Sequence, residues 1–386
     1  MRPDFLPFSP PSLTEAEVAE VVDTLRSAWI TTGPKTKRFE QEMLAYLGAP
    51  GALALSSCTA ALHLALVLEG IGPGDEVITS TLTFTSTAAV IEHVGARPVL
   101  VDVEPDILCL DPALVEAAVT PRTKAVIAVH YAGHAADLDP LRATCARHGL
   151  VLIEDAAHAL PTRYRGRLVG STDNPACFSF YATKNLTTAE GGLLTGPPAY
   201  IERAQVASLH GMNKDAWKRN AQGGSWRYDV VMPGFKYNLT DIQAALGLVQ
   251  LKRLDAMQAR RREVAAAYTT ALAPLDAFDL PVERPWCESA WHLYPLRLRA
   301  GTLTIDRDRF IEEMRARNIG TSVHFIPVHT FTYYREKYGF GAADFPVALA
   351  ESERLVTIPL NPTLTDQDVA DVVEAVTDIV RAHGVG

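Results

Sequence analysis

Between Gly51 and about Thr195, short apolar runs recur at intervals, separated by longer amphipathic stretches. Ala52–Leu55, Glu76–Thr79, Pro98–Asp102, Ala125–Val129 and Leu150–Glu154 are too short for helices and rich in Val, Ile and Leu, which predicts buried strands. Cys177–Tyr181 is a further run of this kind, and Glu190-Gly191-Gly192 reads as the loop before another strand. Strands alternating with helices over fairly short connections predict an α/β fold, a mostly parallel sheet covered by helices on both faces. Thr14 and Glu17 have the spacing of a capping box and predict a helix to about Ser27. Trp29–Lys37, rich in Thr, Gly and Lys, predicts a loop. Thr240 and Gln243 repeat the box and open a long helix from Asp241 to about Thr270, with Arg260-Arg261-Arg262 at its middle. Between these, Gly211–Tyr237 mixes Lys, Arg, Trp, Asn and Gly without a period, the pattern of a long ordered loop or flap. Beyond Pro274 the pattern becomes α+β. An alternating strand over Trp291–Arg299 precedes a helix begun by Asp306, a strand around Thr321–Phe325 and a last helix after Thr365. A chain of 386 residues exceeds one ordinary core, and the expected division is a large domain over 1–250 and a smaller C-terminal α+β lobe over 251–386.

Composition narrows the class. Nearly half the residues are apolar and 21% are charged, as in a well-buried globular protein. A net charge of −9 argues against a nucleic-acid surface. The five cysteines are odd in number and lack CxxC spacing, so neither a disulfide framework nor a metal cluster is suggested. No signal-type core opens the chain and no apolar run reaches ~18 residues, so the expectation is a soluble cytoplasmic protein with no membrane partner.

Three segments carry candidate chemistry. Lys184 follows the apolar run Cys177–Tyr181, and a lysine partly desolvated at a strand end has a lowered pKa, as a Schiff-base lysine needs. Taken alone, the window is better satisfied by a surface lysine in a loop. Val151–Glu154 runs into Asp155, where open α/β sheets place ligand groups, although a strand-end aspartate is often only a cap. Ser56-Ser57-Cys58-Thr59-Ala60 lies between an apolar strand and an apolar helix, a setting that caps a helix and that also binds phosphate. Pyridoxal phosphate (PLP) asks for a lysine, a carboxylate for its ring nitrogen and a cup for its phosphate. The three segments in this order are far more specific together than any one of them.

Over nearly its whole length the sequence resembles the DegT/StrS-type PLP-dependent sugar aminotransferases. The resemblance is carried by Trp29–Lys35, His130-Tyr131-Ala132-Gly133, Glu154–Ala159, Phe178-Ser179-Phe180 with Lys184-Asn185, Pro233–Ile242, Ala290-Trp291-His292-Leu293 and Val323-His324-Phe325. Within that family the pattern is most similar to enzymes that aminate a UDP-linked 4-keto-pentose to UDP-4-amino-4-deoxy-L-arabinose. The resemblance implies PLP fold type I (aspartate aminotransferase-like) and transfer of an amino group from L-glutamate, which leaves as 2-oxoglutarate, to a nucleotide-linked 4-keto sugar. It implies that Lys184 holds the cofactor and moves the proton, and that Asp155 keeps the ring nitrogen protonated. It further implies that Phe84 stacks on the ring, that His158 lies beside the phenolic oxygen and that Thr59, Ala60 and Ser179 meet the phosphate. Asn238 would reach the phosphate of the other subunit in a homodimer with shared active sites, and Thr31 and His324 would lie near the substrate. Two other readings share the cofactor. A PLP-dependent sugar dehydratase of this fold carries histidine where Lys184 stands, and a PLP-binding regulatory protein would not turn over. His130 has the setting of a structural histidine.

Overall fold

The computed structural model describes residues 2–213 and 228–385. Helices α1 (Glu15–Arg26) and α2 (Pro34–Leu47) lead into strand β1 (Ala52–Leu55). Helices and strands then alternate: α3 (Cys58–Leu68), β2 (Glu76–Ser80), α4 (Thr85–His93), β3 (Arg97–Val101), α5 (Pro112–Ala118), β4 (Thr123–Val129), α6 (Leu138–His148) and β5 (Val151–Asp155). A two-strand excursion, β6 (Arg163–Tyr164) and β7 (Arg167–Leu168), precedes β8 (Ala176–Ser179), β9 (Gly192–Thr195) and α7 (Pro198–Ser208). Seven of these strands form one sheet in the order β1-β9-β8-β5-β4-β2-β3, and only β9 runs against the rest.

The continuous apolar runs follow from burial on both faces. Along β4, Ala125 and Ile127 pack into one cluster with α3, while Val126 and Ala128 pack into another with Leu138 and Leu141 of α6. All four are fully buried. Parallel strands all end on the same edge of the sheet, so Ser80, Asp155 and Ser179, the last residues of β2, β5 and β8, come together there.

The long helix α8 (Asp241–Leu272) begins at the expected capping box, where Thr240 Oγ1 accepts from Gln243 N–H and Gln243 Oε1 accepts from Thr240 N–H. Its first half packs with Phe39 and Phe180, and its second half, from Val264 on, packs in a separate core. That second core is built on β10 (Phe278–Asp279), β12 (Tyr294–Leu298) and β13 (Leu355–Ile358), backed by α9 (Arg307–Ala316) and α12 (Asp366–His383). β11 (Cys287–Glu288) joins β6 and β7 in a small third sheet, and α10 (Thr332–Tyr338) and α11 (Pro346–Arg354) complete the chain.

Several expectations need correction. The loop expected over Trp29–Lys37 ends at Gly33, because α2 starts at Pro34. Its start is fixed from far away in sequence: buried Asp241 accepts N–H groups from Gly33 (2.8 Å), Lys35 (3.0 Å) and Thr36 (2.9 Å) and the Thr36 hydroxyl (2.7 Å). Thr321–Phe325 is not a strand. Ser322 alone pairs, with Thr357 of β13, after which the chain turns inward. The strand expected over Trp291–Arg299 starts only at Tyr294, since Trp291 adopts φ +46°, and its five residues are buried on both faces instead of alternating. The irregular Gly211–Tyr237 stretch falls mostly outside the described residues; its flanks pair with one another through Leu209–Lys236 and Met212–Val230 bridges.

Candidate active site

A cavity of about 460 Å³ opens at the edge where the parallel strands end. Thr59, Phe84, Asp155, His158, Ser179, Lys184 and His324 all line it. Segments far apart in sequence thus converge on one volume. Thr31, Ala60 and Asn238 are not among the lining residues. Thr31 is exposed, and its carbonyl accepts the Asp241 N–H. Ala60 donates its N–H to Ser57 Oγ, and Asn238 donates through Nδ2 to Thr32 Oγ1 (2.6 Å) and accepts from Lys236 Nζ.

Lys184 lies in the turn beyond β8, half-buried, its N–H donating to the Tyr181 carbonyl (2.9 Å), and desolvation lowers its pKa to about 8 against the pull of Cys58 and Asp155. It is a loop lysine, as one reading of the sequence allows, but one that lines the cavity. Asp155 lies 4% exposed at the end of β5, where Thr87 Oγ1 donates to Oδ2 (2.8 Å) and Ala157 N–H donates to Oδ1 (3.2 Å). Burial still raises its pKa, despite these bonds and the nearby charge of Lys184. A buried carboxyl so oriented and still short of positive charge suits a cationic ring nitrogen. Cys58 Sγ donates to the Cys177 carbonyl (3.2 Å), and burial and Asp155 hold that thiol protonated.

The start of α3 forms one wall. Ser57 caps it, its Oγ accepting from Ala60 N–H at 3.0 Å, and Ser57, Cys58 and Thr59 line the cavity, so that a helix start, a setting that binds anions, borders it. β9 approaches so closely that a Cβ on Gly192 would lie 2.5 Å from Cys58 N and 2.3 Å from the Ser57 carbonyl carbon. Only glycine fits there. Opposite, Phe84 precedes α4 with its side chain 58% exposed, an unusual exposure for so large an apolar group. Its open ring face and the small Ala157 leave room for a planar molecule.

Three histidines complete the enclosure. His158 packs between His292 (ring centroids 4.3 Å) and Phe325 (5.7 Å, interplanar 23°). His324 stacks on Phe8 (5.5 Å) and meets Thr357 Oγ1 at 3.0 Å. Burial, reinforced by the charge of Lys184, lowers the pKa of all three, that of His324 to about 4. They stand neutral at physiological pH. His130 lies outside the cavity. Its Nδ1 accepts from Ala136 N–H, so Nε2 carries the proton and donates to Glu154 (3.2 Å), a structural pairing. His292 and Phe325 had no role in the sequence reading, although both lie in segments that carried the resemblance. Phe8 and Ser9 arrive from an N-terminal tail without any motif.

A mostly parallel sheet of this order, with a desolvated lysine and an oriented acid at its carboxyl edge, defines a PLP-dependent enzyme of the aspartate aminotransferase-like fold. Comparison with known proteins makes the assignment specific. The chain belongs to the DegT/DnrJ/EryC1/StrS aminotransferase family, whose model matches residues 11–377. It is 50% identical over 382 residues to the spore coat polysaccharide biosynthesis protein SpsC of Bacillus subtilis, covering 98% of each chain. Among solved structures it is similar to the PLP-form of the putative sugar aminotransferase Spr1654 from Streptococcus pneumoniae (38% identity, TM-score 0.91, 98% and 99% covered). It is also similar to Helicobacter pylori PseC, an aminotransferase involved in the biosynthesis of pseudoaminic acid (26% identity, TM-score 0.90, 98% and 100% covered). The protein is a member of a sugar aminotransferase family and its cofactor is PLP. Among the described residues no helix is long and apolar enough to cross a membrane.

Proposed function

We propose that this protein moves an amino group from L-glutamate to a nucleotide-linked 4-keto sugar, a UDP-sugar in preference, for amino-sugar and polysaccharide biosynthesis. The observation that carries this reading is the desolvated Lys184 amine, its pKa lowered to about 8, in one cavity with the oriented carboxyl of Asp155. The polysaccharide role in the printed name of SpsC supports the biosynthetic setting.

When bound, PLP supplies a carbonyl that takes up the amino group and a ring that accepts electrons from the donor's Cα. Lys184 Nζ would hold the cofactor and, once released as a neutral amine, would carry the proton from the donor's Cα to the cofactor's C4′. Asp155 Oδ1 and Oδ2, fixed by Ala157 N–H and Thr87 Oγ1, keep the ring nitrogen protonated. The start of α3 with Thr59 and Ala60, together with Ser179, would hold the phosphate, Phe84 and Ala157 would hold the ring, and His158 would donate to its phenolic oxygen. Residues 1–250 form the cofactor domain, and the smaller domain after them sends His324 back toward the substrate.

Lys184 is the only Lys or Arg among the described residues lining the cavity, whereas both the cofactor and a nucleotide sugar are anionic. The reading includes a homodimer with shared active sites, Asn238 reaching the phosphate of the other subunit, and Thr31 near the substrate. The direct test is to incubate the PLP-loaded protein with L-glutamate. The reading expects 2-oxoglutarate in an amount matching the bound cofactor, with loss of the visible band, and no product from Lys184→Ala. Failure of the wild type to release 2-oxoglutarate would refute the donor assignment.

A further inference from the structure

His292 belongs to the active-site wall, and its neighbours fix its protonation. Asn185 donates through Nδ2 to the Ala290 carbonyl (2.8 Å), which turns its Oδ1 toward His292 Nδ1 at 3.0 Å. An amide oxygen only accepts, so His292 carries its proton on Nδ1 and leaves Nε2 bare. His158 is fixed the opposite way: its Nδ1 accepts the Ala132 N–H (3.3 Å), and the proton sits on Nε2. Two neighbouring neutral imidazoles therefore carry opposite tautomers.

The turn carrying His292 is itself anchored. Arg261 of α8, 2% exposed, directs Nη1 at the carbonyls of Leu360 (2.8 Å), Trp291 (3.3 Å) and His292 (3.4 Å). Among the described residues no carboxylate pairs with it. A buried cation held only by carbonyls is a costly arrangement, and here it fixes the one segment that presses His292 against His158.

We propose that His292, locked by Asn185 with its proton on Nδ1, is a positioning residue that wedges His158 against Phe325, so that His158 offers its protonated Nε2 to the cofactor's phenolic oxygen. The inference rests on the proposed role of His158 and deepens it. Asn185 follows Lys184 directly, so the lock also ties the lysine's own segment to the wedge.

A double-mutant cycle tests this, with PLP affinity and the pH midpoint of the bound cofactor's visible band as readouts. His292→Ala should weaken PLP binding about tenfold and shift the midpoint, the loss expected of one misdirected hydrogen bond. In a His158→Ala background the same substitution should change affinity by less than about twofold, because the group it orients is gone. Equal weakening in both backgrounds, or none in the wild-type background, would overturn the proposal. If His292→Ala does not fold by apo-protein melting, Asn185→Leu takes its place under the same criterion, since it removes the lock and keeps both rings. A wild-type protein that forms no visible band with PLP would defeat the proposed function itself, an outcome distinct from a band whose response is additive.

Discussion

The desolvation of the Lys184 amine makes a quantitative prediction about how the apo-protein takes up its cofactor. Only the free amine attacks the aldehyde of PLP. With a pKa lowered from 10.5 to about 8, chiefly by desolvation, about one lysine in ten is free at neutral pH. At the ordinary value the fraction would be about one in three thousand, so the fold accelerates capture about 300-fold at that pH. The sign is fixed: a depressed lysine pKa means that protonation blocks the reaction below about 8 and leaves it unhindered above. Stopped-flow mixing of apo-protein with PLP from about pH 6 to about pH 10 should show a tenfold rise per unit that levels off near 8. Asp155 opposes the shift, so in Asp155→Asn the break should move to lower pH. A rate that climbs tenfold per unit through pH 10 would show that Lys184 is an ordinary solvated lysine and refute the argument from desolvation.

Asp155→Asn should keep some PLP but lose most turnover, since a charge-assisted hydrogen bond worth roughly 1.5–3 kcal/mol disappears; near-normal turnover would make this acid structural. Asp241→Ala removes the acceptor of four hydrogen bonds at the start of α2 and should lower folding stability by about 3 kcal/mol in denaturant melts. A loss below about 1 kcal/mol would mean that α2 needs no such anchor. Asn238→Ala and Lys184→Ala, co-expressed with different tags and isolated as a hybrid, should regain activity, because one of two shared sites then contains neither lesion. A hybrid as inactive as its folded, dimeric parents would refute the shared site.

What the sequence disclosed follows from the range of the interactions involved. The strands of the main sheet were readable because burial on both faces writes itself locally as unbroken apolar runs, as in Ala125–Val129. Caps at Thr14, Thr240, Asp306 and Thr365 were readable for the same reason, each being closed within three or four residues. The start of α2 was hidden because Asp241 holds it from more than two hundred positions away, and Gly33-Pro34 reads as a turn without that partner. The sequence pattern points to a strand around Thr321–Phe325 and not to β13, the strand that forms. Ser322 does pair there, yet a single bridge leaves His324 and Phe325 free to turn into the cavity. In the site, Asp155 is legible by type and by its place at the end of β5, and Lys184 by type alone, since β8 stops at Ser179 and the lysine lies in the turn beyond it. Phe8, His292 and Phe325 are not legible, because only the folded chain brings their rings to one wall.

The most direct measurement offers the pyridoxamine-loaded protein a panel of UDP-, TDP- and GDP-linked keto sugars, with products identified by mass and by the position of the new nitrogen. The account predicts that a UDP-linked 4-keto sugar gains one amino group at C4 and that the bound cofactor returns to its aldehyde form. An unchanged panel beside a protein that still holds its amine would contradict it.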